Sequence, residues 1–168
     1  MKYQLKTLSD HTLYKLKKLV EKSLNNSKNP KLGRVDEYSA SSTFFRTQNN
    51  KELVEFVNTI TGHETKNINS FFHITYNVGD KLPRHRDMSN HDIKENPDHS
   101  ISYSFLLNMC VEGGEFLLDD VDINFNQPGQ YVWFDGQDIF HEIKEVKKGK
   151  REVLVIWYRP NIETRGLL

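Results

Sequence analysis

Cysteine is nearly missing from this chain: Cys110 is the only one in 168 residues, so no internal disulfide can form, and a reducing, cytoplasmic setting is expected. Nor do roughly eighteen apolar residues ever run together, and the first stretch, MKYQLKTLSDHTLYKL, has no unbroken apolar segment of the kind a signal peptide needs. A soluble protein with no membrane partner is expected. Net charge is missing too, since 23 Lys and Arg balance 23 Asp and Glu. The basic excess is confined to residues 1–34, which hold nine Lys and Arg against Asp10 and Glu21, so the main body offers no broad basic surface for nucleic acid. Lys15, Lys18 and Lys22 read as the solvated face of a helix. With five Pro, no internal repeat and no linker-like composition, residues 1–168 read as a single domain.

Aromatic residues are plentiful: 10 Phe and 7 Tyr suit strands packed face to face. KYQLKTL alternates like a strand. Ser9 or Asp10 then caps a helix whose apolar positions Leu13, Leu16, Val20 and Leu24 recur at helical spacing until NNSKNPKLG ends it. STFFRT reads as a strand. A second helix is predicted from Asn49, with Glu52 closing a reciprocal cap and Leu53, Phe56, Val57 and Ile60 buried before Gly62. From about residue 67 the pattern shortens to strand-like runs: NINSFFHITYNV, SISYSFLLNMCV, GEFLL, VDINF, GQYVWF, IFHEIKEV and REVLVIWY. An eighth lies around LPRHRD, and turns such as VGD, EGG, NQPG, DGQD and KKGK separate the runs. Such a series predicts a mainly β fold, a double-stranded β-helix or cupin-like jelly roll. Residues 1–66 form a helical support region and 67–160 the jelly-roll core, with the two early helices buttressing one face.

PRHRD sets His85 and Asp87 two positions apart, and on a strand such residues point the same way, so imidazole and carboxylate can meet at one point. Seven His and eleven Asp make one His-x-Asp about an even chance in a chain this long, so the pair needs a third partner. His141, in IFHEIKEV, supplies one if the jelly roll folds a late strand beside an early one. Two His and one carboxylate on one face of a metal are the facial triad of non-heme Fe(II) oxygenases, which leaves positions open for a cosubstrate and O₂. Zinc is more often held by three His, by His₂Glu or by thiolates, and this chain has one Cys, read as a small hydrophobe in a strand. His11, His63, His73, His91 and His99 read as ordinary surface or core residues. Arg151 opens the apolar run REVLVIWY, expected beside the strand of His141, where a guanidinium can grip a carboxylate through two parallel hydrogen bonds.

These residues resemble the 2-oxoglutarate and Fe(II)-dependent dioxygenases, specifically the prolyl 4-hydroxylase-like branch. The resemblance begins with YNVGDKLPRHRD, from Tyr76 to His85 and Asp87. It continues through GGEF at Gly113 to Phe116, Pro128 and Gly129, Phe134, HEI led by His141, and GKREVLVIWY with Arg151 and Trp157. Together these cover about residues 70–160. The resemblance implies that His85, Asp87 and His141 ligate iron and that Arg151 binds the distal carboxylate of 2-oxoglutarate. It also implies that Tyr76 lines the cosubstrate pocket and that Trp157 stands beside the substrate. Two features depart from the pattern or add to it. SISYSFLLN lacks the tyrosine that several family members carry just before Leu-Asn, and Tyr103 has the opposite parity. The polar segment MSNHDIKENPDHS, residues 88–100, reads either as a substrate lid or as a solvated loop.

The implied activity is hydroxylation of an unactivated C–H bond with O₂ and 2-oxoglutarate, releasing succinate and CO₂, with ascorbate as a supporting reductant. The leading substrate is a prolyl residue in a peptide or protein; the alternative is a small molecule such as a free amino acid. RPNIETR at 159–165 superficially matches the terminal pattern of AlkB-like demethylases but follows the last predicted strand rather than opening it. A non-catalytic cupin-like binding module would keep the metal ligands and have no need of Arg151.

Overall fold

The chain is described here from a computed structural model, which covers residues 3–27, 40–87 and 101–159 together with the backbone of 31–32. In chain order the elements are β1 (Tyr3–Thr7), α1 (Asp10–Asn25), β2 (Lys31–Leu32), β3 (Ser41–Phe44), α2 (Lys51–Thr61), β4 (Ile68–Tyr76), β5 (Leu82–His85) and β6 (Ile101–Asn108). They continue with β7 (Glu112–Gly113), β8 (Phe116–Leu118), β9 (Val121–Asp122), β10 (Gln130–Asp135), β11 (His141–Ile143), β12 (Val146–Lys148) and β13 (Arg151–Tyr158).

α1 starts where its chemistry dictates. Ser9 is extended and its hydroxyl accepts the Thr12 N–H at 3.1 Å, while Asp10 in the first turn suits the positive end of the helix dipole. Leu16, Leu19, Val20 and Ser23 are its buried face. α2 begins at Lys51 rather than Asn49, because Thr47–Asn49 is a separate 3₁₀ turn. The expected reciprocal cap is absent. Asn50 turns its side chain back to the Arg46 carbonyl at 2.8 Å, and Glu52 reaches Lys22 of α1 at 3.0 Å. Gly62 ends α2 in the left-handed region, φ 75°, and its N–H donates to the Asn58 carbonyl.

A seven-stranded antiparallel sheet runs β1-β10-β6-β13-β4-β3-β2, and a four-stranded sheet runs β5-β11-β8-β9; β12 and β7 form a short ribbon. This is the jelly roll, with the helices on the outer face of the larger sheet. β1, β2 and β3, from the segment expected to give helical support, extend that sheet at both edges. The run IFHEIKEV divides into β11 and β12. β13 and β6 are buried almost throughout, as strands with a layer on each side must be. Alternation sorts their side chains. Ile101, Tyr103, Phe105, Leu154, Ile156 and Tyr158 pack toward the helices with Leu16, Val20, Leu53 and Val57. Leu106, Val153 and Val155 face the smaller sheet with Phe116, Leu118, Phe134 and Ile143. The second of these clusters is the interior in which the site lies.

Candidate active site

β5 and β11 are antiparallel neighbours, and their register sets His141 directly opposite His85. The two rings stand 4.3 Å apart. Asp87 lies just past β5, where its N–H donates to the Gly136 carbonyl at 2.8 Å. Its Oδ1 is 3.0 Å from Nε2 of His141 and 3.8 Å from Nε2 of His85, and one ligand atom from each residue falls within 4.8 Å of the others. Nδ1 of His85 bonds the Pro83 carbonyl at 2.7 Å and Nδ1 of His141 the Ile139 carbonyl at 3.1 Å. A carbonyl only accepts, so both Nδ1 atoms carry the hydrogen, and both Nε2 lone pairs are left for a common ligand.

Burial disfavours a charged His141, yet the Asp87 carboxylate beside it and the Ile139 carbonyl outweigh burial and hold the imidazole above its ordinary value. The pocket therefore attracts positive charge. Asp87 Oδ2 is buried without a hydrogen-bond partner among the described residues. Two imidazole nitrogens and a carboxylate with a free oxygen fit a divalent, borderline cation.

What holds Asp87 in place is a feature that sequence reasoning missed. A Cβ on Gly136 would lie 1.8 Å from Asp87 Oδ2, although the backbone of Gly136 is not in the left-handed region. Glycine is needed there for space beside the carboxylate. Asp135 Oδ1 accepts the N–H groups of Gln137 and Asp138 at 3.0 and 3.3 Å, fastening the turn that carries Gly136. DGQD signals only a turn, and nothing local marks Gly136 as a neighbour of residue 87.

Arg151 is fully buried. Contrary to the expectation from the sequence, its strand does not neighbour that of His141: β13 is central in the larger sheet and β11 belongs to the smaller one, so the two side chains enter the interior from opposite layers. The long apolar run of β13 demands a central position, which β11 could not share. Nη1 donates to the Gly114 carbonyl at 3.1 Å, the Phe125 carbonyl at 3.4 Å and Met109 Sδ at 3.0 Å, and the guanidinium lies over the Phe125 ring. Among the described residues Nε and Nη2 have no hydrogen-bond partner, and no carboxylate forms an ion pair with the group. Burial pushes the guanidinium down to about 10, which leaves it charged at neutral pH. A chain of rings joins it to the triad: Phe125 contacts Phe116, and Phe116 contacts His141.

Tyr76 is the register partner of Arg151 and is buried on the same interior face. Trp157 shares that face at the other end of β13, edge-on to Phe72 at 5.6 Å. Ser102 pairs with both Trp157 and Phe134, so Trp157 lies toward the end of the sheet from which the Gly136 turn departs. Tyr103 points away toward the helices, and Leu106 occupies the inward position, so the floor there is apolar. Gly113 and Gly114 both have positive φ, and a Cβ on Gly113 would lie 2.2 Å from the Glu145 carbonyl oxygen: glycine lets β7 approach β12. Cys110 lies past the end of β6 rather than within a strand, and its thiol donates to the Gly113 carbonyl. Residues 88–100 and nearly all of RPNIETR lie outside the described residues.

The family model of the 2OG-Fe(II) oxygenase superfamily matches residues 71–159, so the chain belongs to that superfamily and is an oxygenase. Its fold is similar to that of a prolyl-4-hydroxylase from Pseudomonas putida, with a TM-score of 0.64 and 16% identity over 95% of this chain and 92% of the other. It is also similar to the viral collagen prolyl hydroxylase of Paramecium Bursaria Chlorella virus-1 in its 2OG complex (TM-score 0.64, 18% identity, 96% and 97% covered). A third similar structure is a prolyl hydroxylase from Trichoplax adhaerens in complex with a hypoxia inducible factor oxygen degradation domain peptide fragment (0.69, 16%, 98% and 86%). No curated protein matches the chain in sequence. Membership of the superfamily implies Fe(II) and 2-oxoglutarate.

Proposed function

We propose that the chain hydroxylates a prolyl residue of a peptide or protein. In this reading His85, Asp87 and His141 hold the ferrous ion, and Arg151 receives the distal carboxylate of 2-oxoglutarate through its open Nε and Nη2. Tyr76 lines the cosubstrate pocket and Trp157 stands beside the substrate. Iron bound there, with O₂ and 2-oxoglutarate, would place one oxygen atom in a C–H bond and release succinate and CO₂. The chain's own work is geometric. Pro83 and Ile139 fix the two imidazoles, Gly136 seats the carboxylate, and Phe116 and Phe134 keep water from one side of His141.

One observation carries the proposal: a completely buried guanidinium with two open nitrogens and no acidic partner among the described residues. A buried charge costs several kcal/mol unless paired, so its partner is expected to be a bound anion. A structural metal site or a binding module has no use for it. The peptide substrate is supported by the shared fold with prolyl hydroxylases, one of them in complex with a peptide fragment. The test is incubation of proline-containing peptides with Fe(II), ascorbate and 2-oxoglutarate, scored by succinate and by a mass gain of one oxygen. His141→Ala is expected to give no succinate above background. Oxidation of free proline with no peptide product would move the substrate to the small-molecule class, and wild-type turnover by His141→Ala would reject the triad.

A further inference from the structure

Apart from the triad, a cavity of about 440 Å³ is lined by Met109, Cys110, Glu115, Phe116, Asp122 and Phe125 among others, and none of the proposed iron ligands borders it. Arg151 is joined to it at two points. Nη1 donates to Met109 Sδ and to the carbonyl of Phe125, both cavity residues. Met109 is only partly buried, so its sulfur meets the guanidinium on one side while its side chain borders the open space. A thioether is a weak acceptor and leaves most of the Arg151 charge uncompensated.

We propose that Met109 is a peroxide-oxidisable site whose sulfoxide weakens the hold of Arg151 on 2-oxoglutarate; this rests on Arg151 as the cosubstrate anchor. The thioether sulfur attacks one oxygen of hydrogen peroxide, the O–O bond breaks, and the products are a sulfoxide and water, sulfur giving up two electrons. Attack from the cavity would set the new oxygen on the side away from Arg151. The sulfur then becomes the positive end of the S–O bond dipole and faces a guanidinium, so a weak attraction turns into repulsion. Cys110 lines the same cavity and is the slower target. Burial pushes its thiol up, and it is the thiolate that reacts with peroxide, whereas a thioether needs no deprotonation.

Metal-free protein is treated with dilute hydrogen peroxide, desalted, loaded with Mn(II), and titrated with 2-oxoglutarate by calorimetry; peptide mass mapping locates the added oxygen. Met109 is expected to gain one oxygen and the Kd for 2-oxoglutarate to rise about tenfold or more. Methionine sulfoxide reductase should restore it. Cys110→Ser should respond as the unsubstituted protein does, and Met109→Leu, whatever its starting affinity, should not respond at all. Met109 left unmodified while Met1 and Met88 oxidise would overturn the inference, as would a Met109 sulfoxide with unchanged affinity or a Met109→Leu protein that loses affinity on treatment. If untreated protein binds no 2-oxoglutarate, the proposed function falls with it; each of the other failures leaves that function standing.

Discussion

Gly136 and Arg151 show how much single positions decide. Gly136 has a backbone that alanine can adopt, yet a methyl group would meet the Asp87 carboxylate at 1.8 Å. Gly136→Ala is therefore expected to leave the melting of the metal-free protein close to that of the unsubstituted chain while weakening Mn(II) about tenfold or more, measured by titration; unchanged metal affinity would show that Asp87 does not need that space. Arg151→Met keeps an unbranched chain but removes the charge. Two charge-assisted hydrogen bonds are each worth about 1.5–3 kcal/mol, so the Kd for 2-oxoglutarate is expected to rise about 100-fold or more. A change of less than about threefold would place the distal carboxylate elsewhere. His85, Asp87, His141 and Arg151 were legible as candidates because strand parity and residue chemistry are local properties. Gly136 and Met109 were not: their partners lie far along the chain, and neither residue type signals a contact.

At the scale of elements, helical periodicity located both helices, and the Ser9 cap and the Gly62 stop were legible from residue type alone. The start of α2 was not, because Asn50 and Glu52 found partners at Arg46 and, across the helix pair, at Lys22. β13 and β4 pair through eight positions, and beside that seam lies a charged group the sequence did not single out. Glu152 is held down to about 2 by the His73 imidazole and by Lys150, against partial burial, where its ordinary value is 4.5. A depressed carboxylate stabilises the fold fully above its unfolded value, so this contribution is complete above pH 4.5 and fades as pH falls toward 2. With solvent screening of a partly exposed group, it is worth about 1–2 kcal/mol. Glu152→Gln is expected to lower stability at pH 7 by that order and to flatten the loss between pH 4.5 and 2, followed by urea unfolding at several pH values. An acid limb as steep as before would assign it to other carboxylates.

For the molecule as a whole, the interior holds a carboxylate oxygen and two guanidinium nitrogens with no hydrogen-bond partner among the described residues, so ligands should complete the fold as well as the chemistry. Mn(II) and 2-oxoglutarate, each near 100 times its Kd, are expected to add about 3 kcal/mol apiece, a Tm rise of several degrees in a domain this size. A chelator should reverse it, and His141→Ala should show no metal-dependent rise; an equal rise in that variant would place the metal elsewhere. The triad itself depends on layering. His85 meets Asp87 through two-residue parity, but His141 reaches them only because β11 folds beside β5, 56 residues away in the chain. Local pattern was enough for the jelly roll, the helical buttress and the residue types of a metal centre, since hydrophobic period and side-chain chemistry are carried by neighbouring residues. Which strands pair, that Arg151 enters from the sheet opposite His141, and that a glycine and a thioether hold the two charged groups were settled by packing, because burial brings together side chains whose separation along the chain carries no local signal.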